Sequence, residues 1–415
     1  MSTSLHTIHV CEVCGNTALQ PALDLGLHPM CDDLVPVGDP RECVAYPIDI
    51  LFCSQCLTAH QHYQIPKQAL FPQNYHYRSR NTADVLNGMR ALVSSCDEVL
   101  GSLTGKKVLD VGCNDGSLLG FFREAGCATF GIEPTGACAD AAASGHIVYN
   151  DFLDEAVAAR FVASHGQPDV ITFTNVFAHI EDLKAVLRSV RLLCAPSTVL
   201  VVENHYLGAV LDKHQFDTFY HEHPRTYSYR SFVSMAETLG MHIARAEFPS
   251  RYGGNIRVFL RAATAGQTHD RFAEMAEREK SFGQDLRGMA AAIETWRVRK
   301  LAEIQTEVAR HGKLSAKAFP GRAAILIKLL GLNEQQIQAV HEKPGSGKIG
   351  HYVPGTRIPI RSDDDFAAGA GPLLNLAWHI SAEIHTYMAA QGYRGRIIDI
   401  LSQDDFCAPG ASSGA

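Results

Sequence analysis

The chain is predicted to be an α/β protein in three parts: a small N-terminal metal-binding module, a doubly wound core, and a second, C-terminal α/β lobe. Three observations carry this. Two Cys-x-x-Cys pairs, Cys11/Cys14 and Cys53/Cys56, stand near the front. From Lys106 the pattern alternates buried strand with amphipathic helix. After a stretch rich in helix formers, roughly 269–310, the same alternation returns. The expected boundaries are 1–70, 71–265 and 266–408, with 409–415 a frayed tail.

Bulk properties set limits first. At 415 residues the chain is too long for one ordinary core. Its 46% hydrophobic and 20% charged residues are those of a globular protein. A net charge of -7 counts against a nucleic-acid partner, which needs a basic face. The greasiest run, "AAILIKLLGL", is short and holds Lys328, so no membrane partner is expected. The N-terminus lacks the basic start and apolar segment of a signal peptide, which implies a cytoplasmic protein with reduced or metal-bound thiols.

A Cys-x-x-Cys pair on a tight turn aims two thiolates at one point. Two such pairs complete a tetrahedron around zinc and leave no open position, so this metal is structural. Two unrelated reduced pairs are the bland alternative, and for a catalytic dithiol one pair would suffice. Cys31, Cys43 and His60 are read as ordinary core or loop residues.

The core begins with "KKVLDVGCNDGSLLGFFREAG", a buried strand, a glycine-containing turn and a helix. Strand-like "ATFGIEP", "HIVYN", "DVITFTNVFAHI" and "STVLVVEN" follow, alternating with helical "TGACADAAASG", "DEAVAARFVASHG" and "EDLKAVLRSVRLL". Such a sheet binds its ligand beyond the carboxyl ends of the strands. The turn Asp110-Val-Gly112-Cys-Asn114-Asp115-Gly116 is not the dinucleotide G-x-G-x-x-G. Glu133 ends the second strand, where an acidic side chain accepts ribose hydroxyls.

Turn, acidic residue and strand order together resemble the Rossmann-like class I S-adenosylmethionine-dependent methyltransferases; a generic nucleotide-binding fold is the alternative. The resemblance implies that Asp110, Gly112, Asn114, Asp115 and Gly116 surround the amino-acid part of the cofactor. Glu133 and Pro134 would hold its ribose, Asp151 and Phe152 its adenine, and Asn175 would face the methionine side. Cys113 and Cys127 are read as packing residues.

"FYHEHPRTY", Phe219 to Tyr227, packs two histidines around a glutamate. It reads as a solvated loop, a metal site or an acid/base apparatus. For a methyltransferase the third reading has a purpose. Oxygen and nitrogen need little more than orientation to attack a sulfonium methyl, whereas a carbon beside a ketone must first lose a proton.

The cysteine module, the core and "YHEH" together resemble the bacterial sugar C-methyltransferases, which act on nucleotide-linked 4-keto deoxysugars. "FPQNYHYRSR" (with Tyr77 approaching the cofactor), "NVFAHI", "VVENHYLG" and "KIGHYVPGTRIPI" match further family segments. The resemblance implies His223 as the base, Glu222 orienting it or binding sugar, and Tyr220 and His179 supporting the enolate oxygen or the ring. His205 and His221 are expected in solvent or structural positions. Lys348, His351 and Tyr352 would contact the substrate, held between two lobes, in a monomer or weak homo-oligomer. This chain departs from the family in "LSAKAFPGR", which keeps Lys317 but loses glycines, in "YGGN", and in "PRTY", where an aromatic run is usual. Sugar O- or N-methylation, a zinc-ribbon RNA methyltransferase and a non-catalytic ligand-binding scaffold are the competing readings.

Overall fold

The computed structural model describes residues 5–70, 78–81, 83–366 and 371–406. The chain divides into two compact units interleaved along the sequence. Met1–Gln20, Leu51–Ala209 and Glu222–Gly283 form the first; Pro21–Ile50, Val210–His221 and Gln284–Ala415 form the second.

In the first unit β1 (His6–Thr7), β2 (Thr58–Gln61) and β3 (Tyr63–Gln64) accompany the cysteine turns, with β1 antiparallel to β3. The core follows as α1 (Ala83–Leu100), β4 (Lys107–Val111), α2 (Ser117–Glu124), β5 (Ala128–Ile132) and β6 (Ile147–Tyr149). Next come α3 (Glu155–His165), β7 (Val170–Thr174), α4 (Leu183–Leu193) and β8 (Val199–His205). Then come β9 (Arg225–Thr226), α5 (Tyr229–Leu239), β10 (Met241–Glu247) and β11 (Asn255–Ala262). Seven of these strands form one sheet in the order β10-β11-β8-β7-β4-β5-β6, parallel from β8 to β6 and antiparallel at the β10–β11 edge.

Every residue of β8 is buried, as expected of a strand covered on both faces. Leu92 of α1, Leu118 and Phe122 of α2, and Val108, Val170 and Val199 of the sheet share one apolar cluster. Strand order runs one way from β4 to β6 and the other from β4 through β7 to β8. The crevice beyond β4 and β7 is therefore the switch point where such sheets bind ligands.

One expectation needs correction. The helical stretch 269–310 is two helices, α6 (Phe272–Arg278) and α7 (Phe282–His311). Between them Glu279, 1% exposed, accepts hydrogen bonds from the backbone N–H groups of Tyr229 (2.6 Å) and Arg230 (3.0 Å) and from the Tyr206 hydroxyl (3.0 Å). A carboxylate satisfying the free donors at the start of α5 outweighs helix continuity.

The second unit has an all-parallel sheet of β12 (Leu314–Lys317), β13 (Ile337–Glu342), β14 (Ile360–Ser362), β15 (Leu373–Asn375) and β16 (Ile397–Asp399). Its order is β14-β13-β12-β15-β16, with α8 (Ala323–Leu330) and α9 (Ser381–Ala390) as two of its connections. Trp296 of α7 is fully buried and donates its indole N–H to the Ile400 carbonyl at 2.9 Å. No helix among the described residues is long and apolar enough to cross a membrane.

Candidate active site and metal centre

The four sulfurs of Cys11, Cys14, Cys53 and Cys56 lie within 4.8 Å of one another, with Cys11–Cys56 at 3.4 Å and Cys14–Cys53 at 3.6 Å. A tetrahedron with zinc–sulfur bonds of about 2.3 Å has edges of about 3.8 Å, so the donor set fits zinc. Hydrogen bonds shared with Cys53 push the Cys11 thiol up to about 12. Crowded thiols of this kind ionise together only around a cation. The chain supplies the usual outer support. Asn16 donates to the Cys53 sulfur at 3.5 Å, and the Cys14 N–H to the Cys11 sulfur at 3.5 Å. His60, expected to be an ordinary core residue, brings Nε2 to 3.3 Å from the Cys11 sulfur.

The glycine turn after β4 is shaped by close approach. Gly112 has φ 75°, and a Cβ there would lie 2.5 Å from Val176; at Gly116, φ 78°, one would meet His146 at 2.9 Å. Asn114 also adopts the left-handed region, at φ 50°. Glu133 bridges the turn: Oε2 accepts from the Asn114 N–H at 3.0 Å, and Oε1 from the Thr135 N–H (2.9 Å) and hydroxyl (2.6 Å). A carboxylate has about four acceptor positions, so Glu133 retains capacity for ribose hydroxyls. Asp115 braces the turn internally: Oδ1 caps α2 through Ser117, and Oδ2 accepts from the Arg80 N–H at 3.0 Å. Asp110 is buried, which pushes its carboxyl up to about 7 against the opposing hydrogen bond from Thr172.

Pro134 is half-buried beside Glu133. The Asp151 carboxylate accepts from the Phe152 N–H at 3.1 Å, and Lys67 lies 4.4 Å over the Phe152 ring. Asn175 falls at the carboxyl end of β7 with φ 55°, its Oδ1 accepting from Asn255 at 3.2 Å. Tyr77 lies outside the described residues.

"DVITFTNVFAHI" reads as one strand, but β7 stops at Thr174 and a 3₁₀ turn, Phe177–His179, follows the left-handed Asn175. That turn delivers His179. Its Nδ1 lies 2.7 Å from the Glu222 carbonyl, which only accepts, so Nδ1 carries the proton. Burial lowers the His179 pKa to about 4 despite this hydrogen bond, so the ring is neutral near pH 7.

The His223 ring centre lies 4.8 Å from that of His179 and 5.1 Å from that of His205, whose ring is 5.7 Å from Tyr252. His205 and His223 are both buried. His205, the last residue of β8, is thus the neighbour that sequence reasoning missed; nothing in "VVENHYLG" signals its approach to a segment further along the chain. Behind the site, Glu203 is fully buried and bonds Arg251 (2.9 Å), Arg257 (2.7 Å) and Asn255 (2.9 Å).

The chain passes between units after His221, so Tyr220 and His221 are grouped with the second unit and Glu222 and His223 with the first. His221 is buried, lies 3.2 Å from the Tyr46 carbonyl through Nε2, and burial lowers its pKa to about 4. Lys348 donates to the Phe319 carbonyl at 2.7 Å, and His351 Nδ1 lies 3.3 Å from the Lys348 carbonyl. Tyr352 accepts from the Gly38 N–H at 3.1 Å. Lys317 is buried against Asp363 at 2.6 Å, and Asp363 also accepts from the Tyr387 hydroxyl at 2.7 Å.

Three family models match the chain: "Putative zinc binding domain" over residues 11–71, "Methyltransferase domain" over 86–245 and "C-methyltransferase C-terminal domain" over 250–399. The chain is 31% identical over 403 residues to the C-methyltransferase NovU of Streptomyces niveus, covering 92% of this chain and 93% of that protein. A ubiquinone biosynthesis O-methyltransferase of Escherichia coli is 36% identical over 104 residues, 24% of this chain and 42% of that one. Among solved structures, the magnesium protoporphyrin IX methyltransferase of Synechocystis PCC 6803 with bound SAH aligns at TM-score 0.35 and 16% identity, over 43% of this chain and 84% of that chain.

Proposed function

The chain belongs to the bacterial C-methyltransferase family, and from that premise we propose that it methylates a ring carbon beside the ketone of a nucleotide-linked 4-keto deoxysugar, with His223 as the base. It is an S-adenosylmethionine-dependent methyltransferase with a structural zinc. The substrate class and the residue roles are our reading.

The observation that carries it is the buried imidazole of His223 with those of His179 and His205 beside it, at 4.8 and 5.1 Å between ring centres. His179 follows β7 and His205 ends β8, at the carboxyl edge of the sheet where the cofactor turn also lies. Attack by a hydroxyl or amine needs orientation and little else, whereas a carbon acid needs a buried base. His223 takes the proton from the carbon; the electron pair moves onto the ketone oxygen as an enolate. Tyr220, three residues earlier in the chain, is proposed to donate to that oxygen, and Glu222 to orient the base or the sugar. S-adenosylmethionine, held by the glycine turn and Glu133, would supply a methyl group on a sulfonium, whose carbon–sulfur bond can break with the electron pair left on sulfur as the enolate carbon forms its new bond and the ketone returns. The neutral His179 ring lies beside that of His223, where it is proposed to support the enolate oxygen or the sugar ring. Lys348, His351 and Tyr352 are proposed to contact the nucleotide sugar.

The test is mass spectrometry of reactions with a panel of nucleotide keto sugars and methyl-labelled cofactor. Label on a ring carbon supports the reading; label on oxygen or nitrogen makes the enzyme a heteroatom methyltransferase, and no labelled sugar from any member removes the substrate class.

A further inference from the structure

Arg225, in the segment "PRTY", is fully buried in the first unit. Its Nη1 lies 2.5 Å from the carboxylate of Glu12, a residue inside the first Cys-x-x-Cys turn. Glu12 is held for this purpose. Gln64 donates to it at 2.8 Å, and His60 Nδ1 lies at 3.6 Å. From the other end of the guanidinium, Nε donates to the Tyr227 hydroxyl at 3.1 Å, and that hydroxyl donates to the Phe177 carbonyl at 3.0 Å. Phe177 opens the 3₁₀ turn that ends in His179.

A second set of ties runs in parallel. β9, which begins two residues after His223, pairs antiparallel with β2 (Arg225 opposite His60), and the Gln61 N–H donates to the Pro224 carbonyl at 2.8 Å. The Cys56 carbonyl, at the second knuckle, accepts from Ser228 and Ser231, each at 3.1 Å. Thr58 Oγ1 lies 3.0 Å from the Cys56 sulfur and 2.7 Å from Ser231. These two serines form the capping box of α5.

We propose that Arg225 is a positioning residue: through Glu12 on one side and Tyr227 on the other it ties the zinc knuckle to the turn bearing His179 and to the strand following His223, so that metal loading sets the geometry of the base. The proposal rests on the assignment of His223 and His179 to the reaction. A buried guanidinium cannot lose its carboxylate cheaply, so a knuckle that opens without metal must release Arg225 and the segments it holds. The cofactor turn is built from other residues, Asp110 to Gly116 and Glu133, and should keep its shape.

Tyr227→Phe is the decisive variant, because it removes one hydroxyl and leaves the Glu12–Arg225 pair in place. Its kcat is expected to fall about tenfold or more, since small misplacements of a base are costly, with KM changed less than about twofold. Zinc content and cofactor affinity should match wild type. Amide exchange should accelerate at 177–180 and 223–226, and not at 108–116, both in this variant and in wild type stripped of zinc by a chelator. Arg225→Lys, which keeps the charge but loses the second donor, should fall between the two. Unchanged exchange at both segments with unchanged kcat in Tyr227→Phe would overturn the proposal. A wild type that methylates no keto sugar defeats the functional reading alone, because the exchange measurement needs no substrate.

Discussion

The ring of His223 sits 4.8 Å from that of His179, and His179 is fixed as the Nδ1–H tautomer by the carbonyl of the residue preceding His223. One imidazole therefore holds the backbone of the other's segment. Removing His223 should take away the base and leave this scaffold standing. His223→Ala is expected to lose about 100-fold or more in kcat while binding cofactor and zinc normally, checked by turnover, calorimetry and metal analysis.

Glu133 braces the glycine turn after β4 and is the proposed ribose ligand. Its carboxylate takes three hydrogen bonds from Asn114 and Thr135. Glu133→Ala should weaken cofactor binding at least about tenfold, the worth of a hydrogen bond to a charged group. Calorimetric titration with cofactor reads this directly, and unchanged affinity would remove Glu133 from the site.

Acid should destabilise the fold in two stages. His179 and His221 have folded values of about 4 against an ordinary 6.5. Unfolding lets them take protons, so stability falls as pH drops from 6.5 toward 4. Glu12, at about 2 against 4.5, contributes stability above pH 4.5 that is lost as pH falls toward 2. Asp110 opposes the first stage: its folded value of about 7 costs stability as pH rises from 3.8 toward 7. Denaturant melts across pH should therefore show a shallower slope between 6.5 and 4 in His179→Gln than in wild type.

Glu203 sits between two guanidinium groups with no exposure. Glu203→Gln leaves Arg251 and Arg257 without its charge, at a cost of roughly 3–5 kcal/mol. Urea unfolding of the purified variant measures this, and a loss below about 1 kcal/mol would mean that the network is not held by charge.

Much of the architecture was legible because it is written locally. The Cys-x-x-Cys spacing aims thiolates without help from the rest of the chain, and strand periodicity marks the sheets. What was hidden depends on pairs far apart in sequence. Glu12 stands between two ligands in the sequence, and nothing local signals that Arg225 lies beside it. His205 was expected in a solvent or structural position; it is buried at the end of its strand, and its approach to His223 is not visible locally. The α6–α7 break is invisible in composition because Glu279 is a good helix former, and only the start of α5 gives it another task. Asp115 was expected at the cofactor; that its oxygens also brace the turn through Arg80 and Ser117 is something motif reading does not see.

The central claim is that His223 removes a proton from carbon before any methyl moves. It is tested most directly by incubating enzyme with the keto sugar and the demethylated, inert form of the cofactor in deuterated water, then following the ring proton by NMR. Wild type should exchange the hydrogen beside the ketone and His223→Ala should not. Exchange that is absent from wild type, or equally fast in the variant, would contradict the claim.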